Sequence, residues 1–332
     1  MNKNIFFRFD ADDGTRHGLG HFYRTKKIID YLKSKFTNYK FYLVIKKNLY
    51  GTKIIKQNIK IPIIFFDNNF FKKKFDKKKD IFVVDTFQKD RKLIKFLSKK
   101  GLSLILFDQT KIEHLKKGLI INGISFANKK IFSKHKGLKI YQGPKYILLD
   151  KSYSVKKDIK LNYEIKNAIV SSGGADKKNF LYFVTKTLSN FDLKKIFVIV
   201  GKSVKKNNKI FSLRKNKKIH LIINKDKIKK YFDLADVSFV TGGTVMFESI
   251  STGTPTLAFK NYNHQKYAMK YFSKLNCVIT QNNTKSFTKN QILSFFDYSK
   301  KNFSSLYKNN VKVIDGKGFD RVCKIIYNYL SL

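Results

Sequence analysis

The 332-residue chain has no tryptophan, three prolines, three methionines and two cysteines. Cys277 and Cys323 stand far apart, which excludes a disulfide framework and the common cysteine metal motifs. A reducing cytoplasm is therefore the expected compartment. No apolar run approaches the ~20 residues that a membrane-spanning helix needs. Met1 to Arg8 leads straight into a strand pattern, without the apolar core of a secretion signal. Acidic residues are scarce as well: 23, against 70 lysines and arginines. Glutamate occurs only three times, at Glu113, Glu164 and Glu248.

The formal charge of +47 invites a nucleic-acid partner, but the basic residues are the wrong kind. Only six are arginine: Arg8, Arg16, Arg24, Arg91, Arg214 and Arg321. Arginine is the residue that contacts guanine bidentately and stacks on bases. Lysine is spread over the whole chain beside an excess of asparagine, isoleucine and phenylalanine, the coding signature of an AT-rich genome. Runs such as Lys72-Lys73-Lys74 and Lys77-Lys78-Lys79 read as solvated surface, and no nucleic-acid partner is expected. A general attraction for anionic substrates stays compatible with the charge. Hydrophobic residues make up 42%, enough for a globular core.

Short β-branched and aromatic runs alternate with helical stretches, which predicts parallel sheets with crossover helices. In the first half, strands fall near 5–9, 41–45, 63–66, 81–84, 102–107 and 119–121, with the clearest helices over 21–35 and 89–99. The pattern restarts with strands near 168–171, 196–200, 219–223, 237–241 and 256–259. A polar stretch at 150–158 separates the halves. The expected domains are 1–155 and 156–332, with the last helix packing back toward the first. The fold class is α/β: two Rossmann-like, doubly wound domains whose strand ends face one cleft, the usual ligand position in such folds.

Three glycine-bearing loops carry the chemistry. The first runs from Asp10 to His21 and holds Gly18 and Gly20, which let the backbone turn sharply and approach a ligand closely. His21 opens the next helix, where the positive dipole end disfavours an imidazolium. It is either a general base or a histidine that caps and packs. His17, inside a polar loop, is the poorer candidate. The second loop, Ser171-Ser172-Gly173-Gly174-Ala175-Asp176, has the small residues of an anion-binding turn at a helix start, as plain strand-to-helix turns do too. The third runs from Thr241 to Pro255 and exposes backbone N–H groups at Gly242 and Gly243. Thr244 is placed to cap its helix, and a diphosphate would fit the N-terminus. Glu248, one turn inside, has the reach to accept both hydroxyls of a ribose; the bland alternative is a carboxylate that merely complements the dipole. Asn263 and Gln265 open a further helix as amide donors. Asp85 and Asp108 end strands, where a carboxylate either holds a sugar hydroxyl or amide or caps the next turn. No carboxylate–histidine cluster has metal-ligand spacing, so neither metal nor cofactor is expected.

Arg8-Phe9-Asp10 with Gly18-Leu19-Gly20-His21 and Arg24 resembles the N-terminal signature of the PseG/SpsG family. The likeness continues through Val83-Val84-Asp85, Leu106-Phe107-Asp108, Gly143-Pro144-Lys145-Tyr146, Ser172-Gly173-Gly174-Ala175-Asp176, Gly242-Gly243-Thr244 with Glu248, Gln265 and Asp315-Gly316-Lys317-Gly318. It covers nearly the whole chain in order. The best-known members are UDP-2,4-diacetamido-2,4,6-trideoxy-β-L-altropyranose hydrolases of pseudaminic acid biosynthesis. The resemblance implies a glycosyltransferase-B-like fold in the MurG-like superfamily, with UDP on the C-terminal domain and no metal. It also implies that His21 activates the water that displaces UDP, with inversion, from the anomeric carbon. The loop at 12–17 is longer than the family's usual one, and SpsG-like members are equally near, so the sugar stays open. The expected protein is a cytoplasmic monomer that hydrolyses a UDP-diacetamido-trideoxyhexose for nonulosonic acid or surface polysaccharide. Competing readings are a glycosyltransferase on the same fold, a basic nucleic-acid-binding protein, and a catalytically dead sensor, which retention of both His21 and Glu248 argues against.

Overall fold

A computed structural model of the chain describes residues 2–11, 20–86, 90–108, 115–123, 137–156, 163–176, 178–225, 227–263, 265–281 and 287–331. The chain divides into two compact units, Met1–Leu148 with Gly318–Leu332, and Leu149–Lys317. Gly18, His17 and His264 lie outside the described residues.

The first unit runs β1 (Asn4–Phe9), α1 (Gly20–Lys35), β2 (Lys40–Ile45), α2 (Leu49–Asn58), β3 (Ile63–Phe65), β4 (Asp80–Asp85), α3 (Arg91–Lys99), β5 (Ser103–Phe107), β6 (Gly118–Asn122) and β7 (Leu138–Gln142). Its described strands form one parallel sheet in the order β3-β2-β1-β4-β5-β6-β7. Parallel strands are covered on both faces and so read as nearly continuous apolar runs. β1 shows the consequence. Ile5, Phe7 and Phe9 share a core with Phe22, Ile28 and Leu32 of α1 and with Phe319, Val322 and Ile326 of the chain's last helix, Gly318–Leu330. Phe6, one residue out of phase, joins Val44, Phe82, Leu93 and Leu97 in a second core.

The second unit runs β8 (Asn167–Ser171), α4 (Phe180–Leu188), β9 (Lys195–Val200), β10 (Ile219–Ile223), α5 (Lys229–Leu234), β11 (Val237–Thr241), α6 (Thr244–Ser251), β12 (Thr256–Phe259), α7 (Gln265–Lys274), β13 (Ile279–Gln281) and α8 (Lys289–Val313). The sheet order is β10-β9-β8-β11-β12-β13, again parallel. α8 begins with a capping box: Thr288 Oγ1 accepts from Gln291 N–H, and Gln291 Oε1 accepts from Thr288 N–H at 3.0 Å.

In both sheets the winding reverses beside the unit's first strand, between β1 and β4 and between β8 and β11. Such a switch point leaves room at the carboxyl ends of the strands for a ligand. The sequence pattern missed two strands, β7 and β13. Both are edge strands: β7 alternates apolar and polar residues and is only half-buried, and β13 is three residues long. Among the described residues no helix is long and apolar enough to cross a membrane.

Candidate active site

At the switch of the first unit, three carboxylates stand at the ends of adjacent strands: Asp10 after β1, Asp85 closing β4 and Asp108 after β5. α1 meets them with His21, Arg24 and Thr25, whose spacing puts them on one helix face. His21 Nδ1 lies 2.8 Å from Asp85 Oδ1. Arg24 donates through Nε to Asp85 Oδ2 at 2.7 Å, through Nη2 to Asp85 Oδ1, and through Nη1 to Asp108 Oδ2 at 3.1 Å. Its guanidinium carbon sits 5.5 Å from the centre of the Phe107 ring. The Asp85 side chain is 2% exposed and that of His21 18%.

Burial would push the Asp85 carboxyl upward, yet the charges and hydrogen bonds of Arg24 and His21 outweigh it and hold it well below the usual carboxylate range. Burial likewise opposes the Arg24 charge, and Asp85 and Asp108 more than restore it. A carboxylate kept ionised against an imidazole Nδ1 requires the proton on that nitrogen, which makes Nε2 the basic one in the neutral ring. Asp85 is thus engaged by the histidine and the arginine rather than capping a turn.

Asp10 has a different partner. Arg8, fully buried, donates through Nη1 to the Phe9 carbonyl and through Nη2 to Asp10 Oδ1 at 2.8 Å, and it pairs with Asp90 Oδ2 at 2.9 Å. Burial raises the Asp90 carboxyl, with Asp10 adding to the rise and Arg8 opposing it. The arginine ties together the chain leaving β1 and the start of α3. Gly20, the first residue of α1, is exposed and has open space where a Cβ would stand.

At the switch of the second unit the groups are mostly backbone. Gly173 adopts φ +79°, and its N–H donates to Ser171 Oγ at 3.3 Å. Gly174 is exposed, with open space at its Cβ position. Asp176 serves the helix behind it: Oδ1 accepts from Phe180 N–H at 2.7 Å and Oδ2 from Leu181 N–H at 3.2 Å. Burial raises this carboxyl, and those backbone donors partly offset the rise.

The neighbouring turn leads into α6. Gly243, not Thr244, is its N-cap, and no side chain caps it. Thr244 is instead the first helical residue and is exposed. Uncapped first-turn amides at a helix start form a ready anion site. Glu248 is four residues after Thr244, on the same face, half-buried and beyond the first turn. Gln265 Oε1 accepts from the N–H groups of Asn261 and Tyr262 at 2.9 and 3.1 Å, and its Nε2 would lie 3.4 Å from a Cβ on Gly243. Asn263, two residues before Gln265, is exposed.

Two further residues went unassigned from the sequence. Ser172 Oγ and Asn261 Nδ2 are buried at the ends of β8 and β12 without a hydrogen-bond partner among the described residues. Buried polar atoms left open at strand ends can be met by water or by a polar ligand. Thr241 Oγ1 donates to the Ser172 carbonyl at 3.1 Å and locks the two turns together. Beneath α6, Ser249 Oγ lies 2.5 Å from Ser238 Oγ of β11 and 2.8 Å from Thr256 Oγ1 of β12, and Ser238 Oγ donates to Thr256 Oγ1 at 3.1 Å. Among the described residues no group of three or more His, Cys, Asp or Glu side chains is placed to hold a metal ion.

No protein-family model matches the chain. It is 23% identical to the spore coat polysaccharide biosynthesis protein SpsG of Bacillus subtilis, over 98% of both chains. Its fold is similar to that of MurG from Acinetobacter baumannii, at a TM-score of 0.67 with 12% identity over 98% of this chain and 99% of that one. MnaA of S. aureus, in a co-structure with UDP, matches at a TM-score of 0.58 and 12% identity over 99% of this chain and 97% of that one. The resemblance read from the motifs thus stands at the level of the whole chain, and the fold is glycosyltransferase-B-like.

Proposed function

We propose that this protein is a nucleotide-sugar hydrolase that releases UDP from a UDP-diacetamido-trideoxyhexose in nonulosonic acid or surface polysaccharide biosynthesis. The observation that carries the reading is the His21–Asp85 pair, an imidazole oriented by a buried, ionised carboxylate. In this role His21 Nε2 takes a proton from water as the oxygen attacks the anomeric carbon, and Asp85 stabilises the imidazolium that forms. Arg24 holds Asp85 and Asp108 in place. Negative charge grows on the departing diphosphate, and the amides at the start of α6 and at Gly173-Gly174, with Gln265 Nε2, would meet it. Glu248 would accept the ribose hydroxyls. SpsG's part in spore coat polysaccharide biosynthesis and the UDP of the MnaA co-structure support the substrate class.

The fold shared with MurG gives a glycosyltransferase the second claim, and a nucleophile test separates the two. A hydrolase releases UDP in plain buffer at a rate indifferent to added glycan or lipid acceptors. A transferase leaves its sugar nucleotide largely intact when alone, because its site must exclude water. In ¹⁸O-water, attack at the anomeric carbon labels the sugar and leaves UDP unlabelled. Label in UDP would mean phosphate cleavage and defeat the reading. Release that accelerates many-fold with one acceptor would transfer the claim to the transferase.

A further inference from the structure

β3 ends one side of the first unit's sheet and pairs with β2 alone among the described strands. That pairing fixes which backbone groups the free edge presents. The Leu43 N–H donates to the Pro62 carbonyl at 2.9 Å, and the Phe66 N–H donates to the Ile45 carbonyl at 2.7 Å. In a strand the N–H and C=O of one residue point to the same side, and those of the next residue point to the other. Pro62, Ile64 and Phe66 therefore face β2, and the N–H and C=O groups of Ile63 and Phe65 face away from it. No other described backbone group meets them. A proline whose missing N–H faced outward would blunt such an edge. Pro62 stands in the opposite phase, so both outward donors remain.

Beside this edge lies a groove of about 420 Å³, lined by Ile59, Ile61, Ile63 and Phe65 and flanked by Lys56 and Lys60. Both lysines are exposed, and Phe65 is 37% exposed. From Lys46 to Phe66 the chain holds five lysines and no acidic residue. These features discriminate between occupants. A second copy would bring the same lysines against these, on a chain of formal charge +47, and like charges disfavour that pairing. An anionic lipid surface would meet the lysines and the apolar wall but would leave the ordered N–H and C=O groups unused. An extended acidic peptide uses all three: main-chain bonds along the edge, an apolar side chain in the groove, and carboxylates at the lysines.

We propose that the β3 edge docks an extended, acidic segment of another protein, which joins the sheet as its next strand. The test is fluorescence anisotropy of the full chain with a labelled peptide of alternating valine and glutamate, about ten residues long, in about 0.15 M salt. Wild type should bind it saturably. The same peptide methylated on its backbone nitrogens keeps every charge and side chain, and should bind at least about 10-fold more weakly. Phe65→Pro removes an outward N–H at no cost in bonds to β2, whereas Phe65→Ala loses the same ring and keeps the N–H. Proline should therefore weaken the peptide about 5- to 10-fold more than alanine does, at similar melting temperatures. Lys56→Glu with Lys60→Glu should weaken it about 10-fold, and the equally charged control Lys77→Glu with Lys78→Glu by less than about 2-fold. Absence of saturable binding, equal affinity for the methylated peptide, or equal losses from the two lysine pairs overturns the inference. So does sedimentation with phosphatidylglycerol vesicles that depends on Lys56 and Lys60 when the peptide does not bind, which would give the surface to lipid.

Discussion

The β1–β4 switch and the β8–β11 switch share one topology and are furnished in opposite ways. The first is built from polar side chains, His21, Arg24, Asp85 and Asp108, with Asp85 bonded to His21 and Arg24 paired with Asp85 and Asp108. The second is built from backbone amides at glycine turns and an uncapped helix start, with few charges. Proton transfer needs groups that can gain and lose a proton, and only side chains can. Holding a diphosphate needs donors that never change state, and amides supply them. The two materials fail differently: the charged cluster is vulnerable to any single truncation, the amide site to an added methyl. A Cβ on Gly242 would fall 2.5 Å from Met269 Sδ.

The sharpest way to break this division is His21→Ala. Turnover should fall ~10²–10⁴-fold with UDP affinity nearly intact, as read by steady-state kinetics beside calorimetry. An undiminished kcat would remove His21 from the chemistry.

Asp85→Asn comes next. It should cut kcat about 10²-fold by releasing the imidazole and cost about 3 kcal/mol of stability by leaving Arg24 short of its main anion. The pH dependence has a definite sign. The folded Asp85 carboxyl lies below its unfolded value of about 3.9, so its contribution is complete above that pH and is lost as pH falls through the folded value. The substitution should therefore weaken the acid limb of wild type's stability profile, measured by denaturant unfolding.

Glu248→Ala should behave in reverse, weakening UDP by about 1–3 kcal/mol with little change in kcat. Equal damage to kcat and binding would blur the separation between the two units.

The smallest effect belongs to Lys156. Burial, and then the nearby Lys229 and Lys317, lower its pKa from 10.5 to about 8, against the pull of Asp315. Between those values the unfolded chain binds more protons, so stability rises with pH across the window. Lys156→Met should flatten that rise, and an unchanged slope would show that Lys156 bears no such load.

Much of this was legible because strand-to-helix turns announce themselves locally. Gly173-Gly174, Gly242-Gly243 and the helix behind His21 were all found from punctuation alone. What could not be read was partnership. His21 and Asp85 are 64 residues apart, and nothing in either motif says that β4 lies beside β1. Asp10 and Asp176 look like ligand groups in sequence because a carboxylate after a strand always does; the structure engages one with Arg8 and the other with the start of α4. Thr244 was read as a cap because threonine favours that position, whereas the chain turns one residue earlier.

The hydroxyls of Ser238, Ser249 and Thr256 give α6 a property that apolar packing would not. Oily contacts vary smoothly as a helix creeps along a sheet, but three mutually bonded oxygens offer a single notch. Displacing α6 by a fraction of a residue breaks several of these bonds at once and strands their polar atoms out of water. The amides at its start are therefore indexed to β11 and β12 as a key is to its wards. A site whose donors cannot drift can be fitted closely to one geometry of phosphate, and can reject others by shape alone.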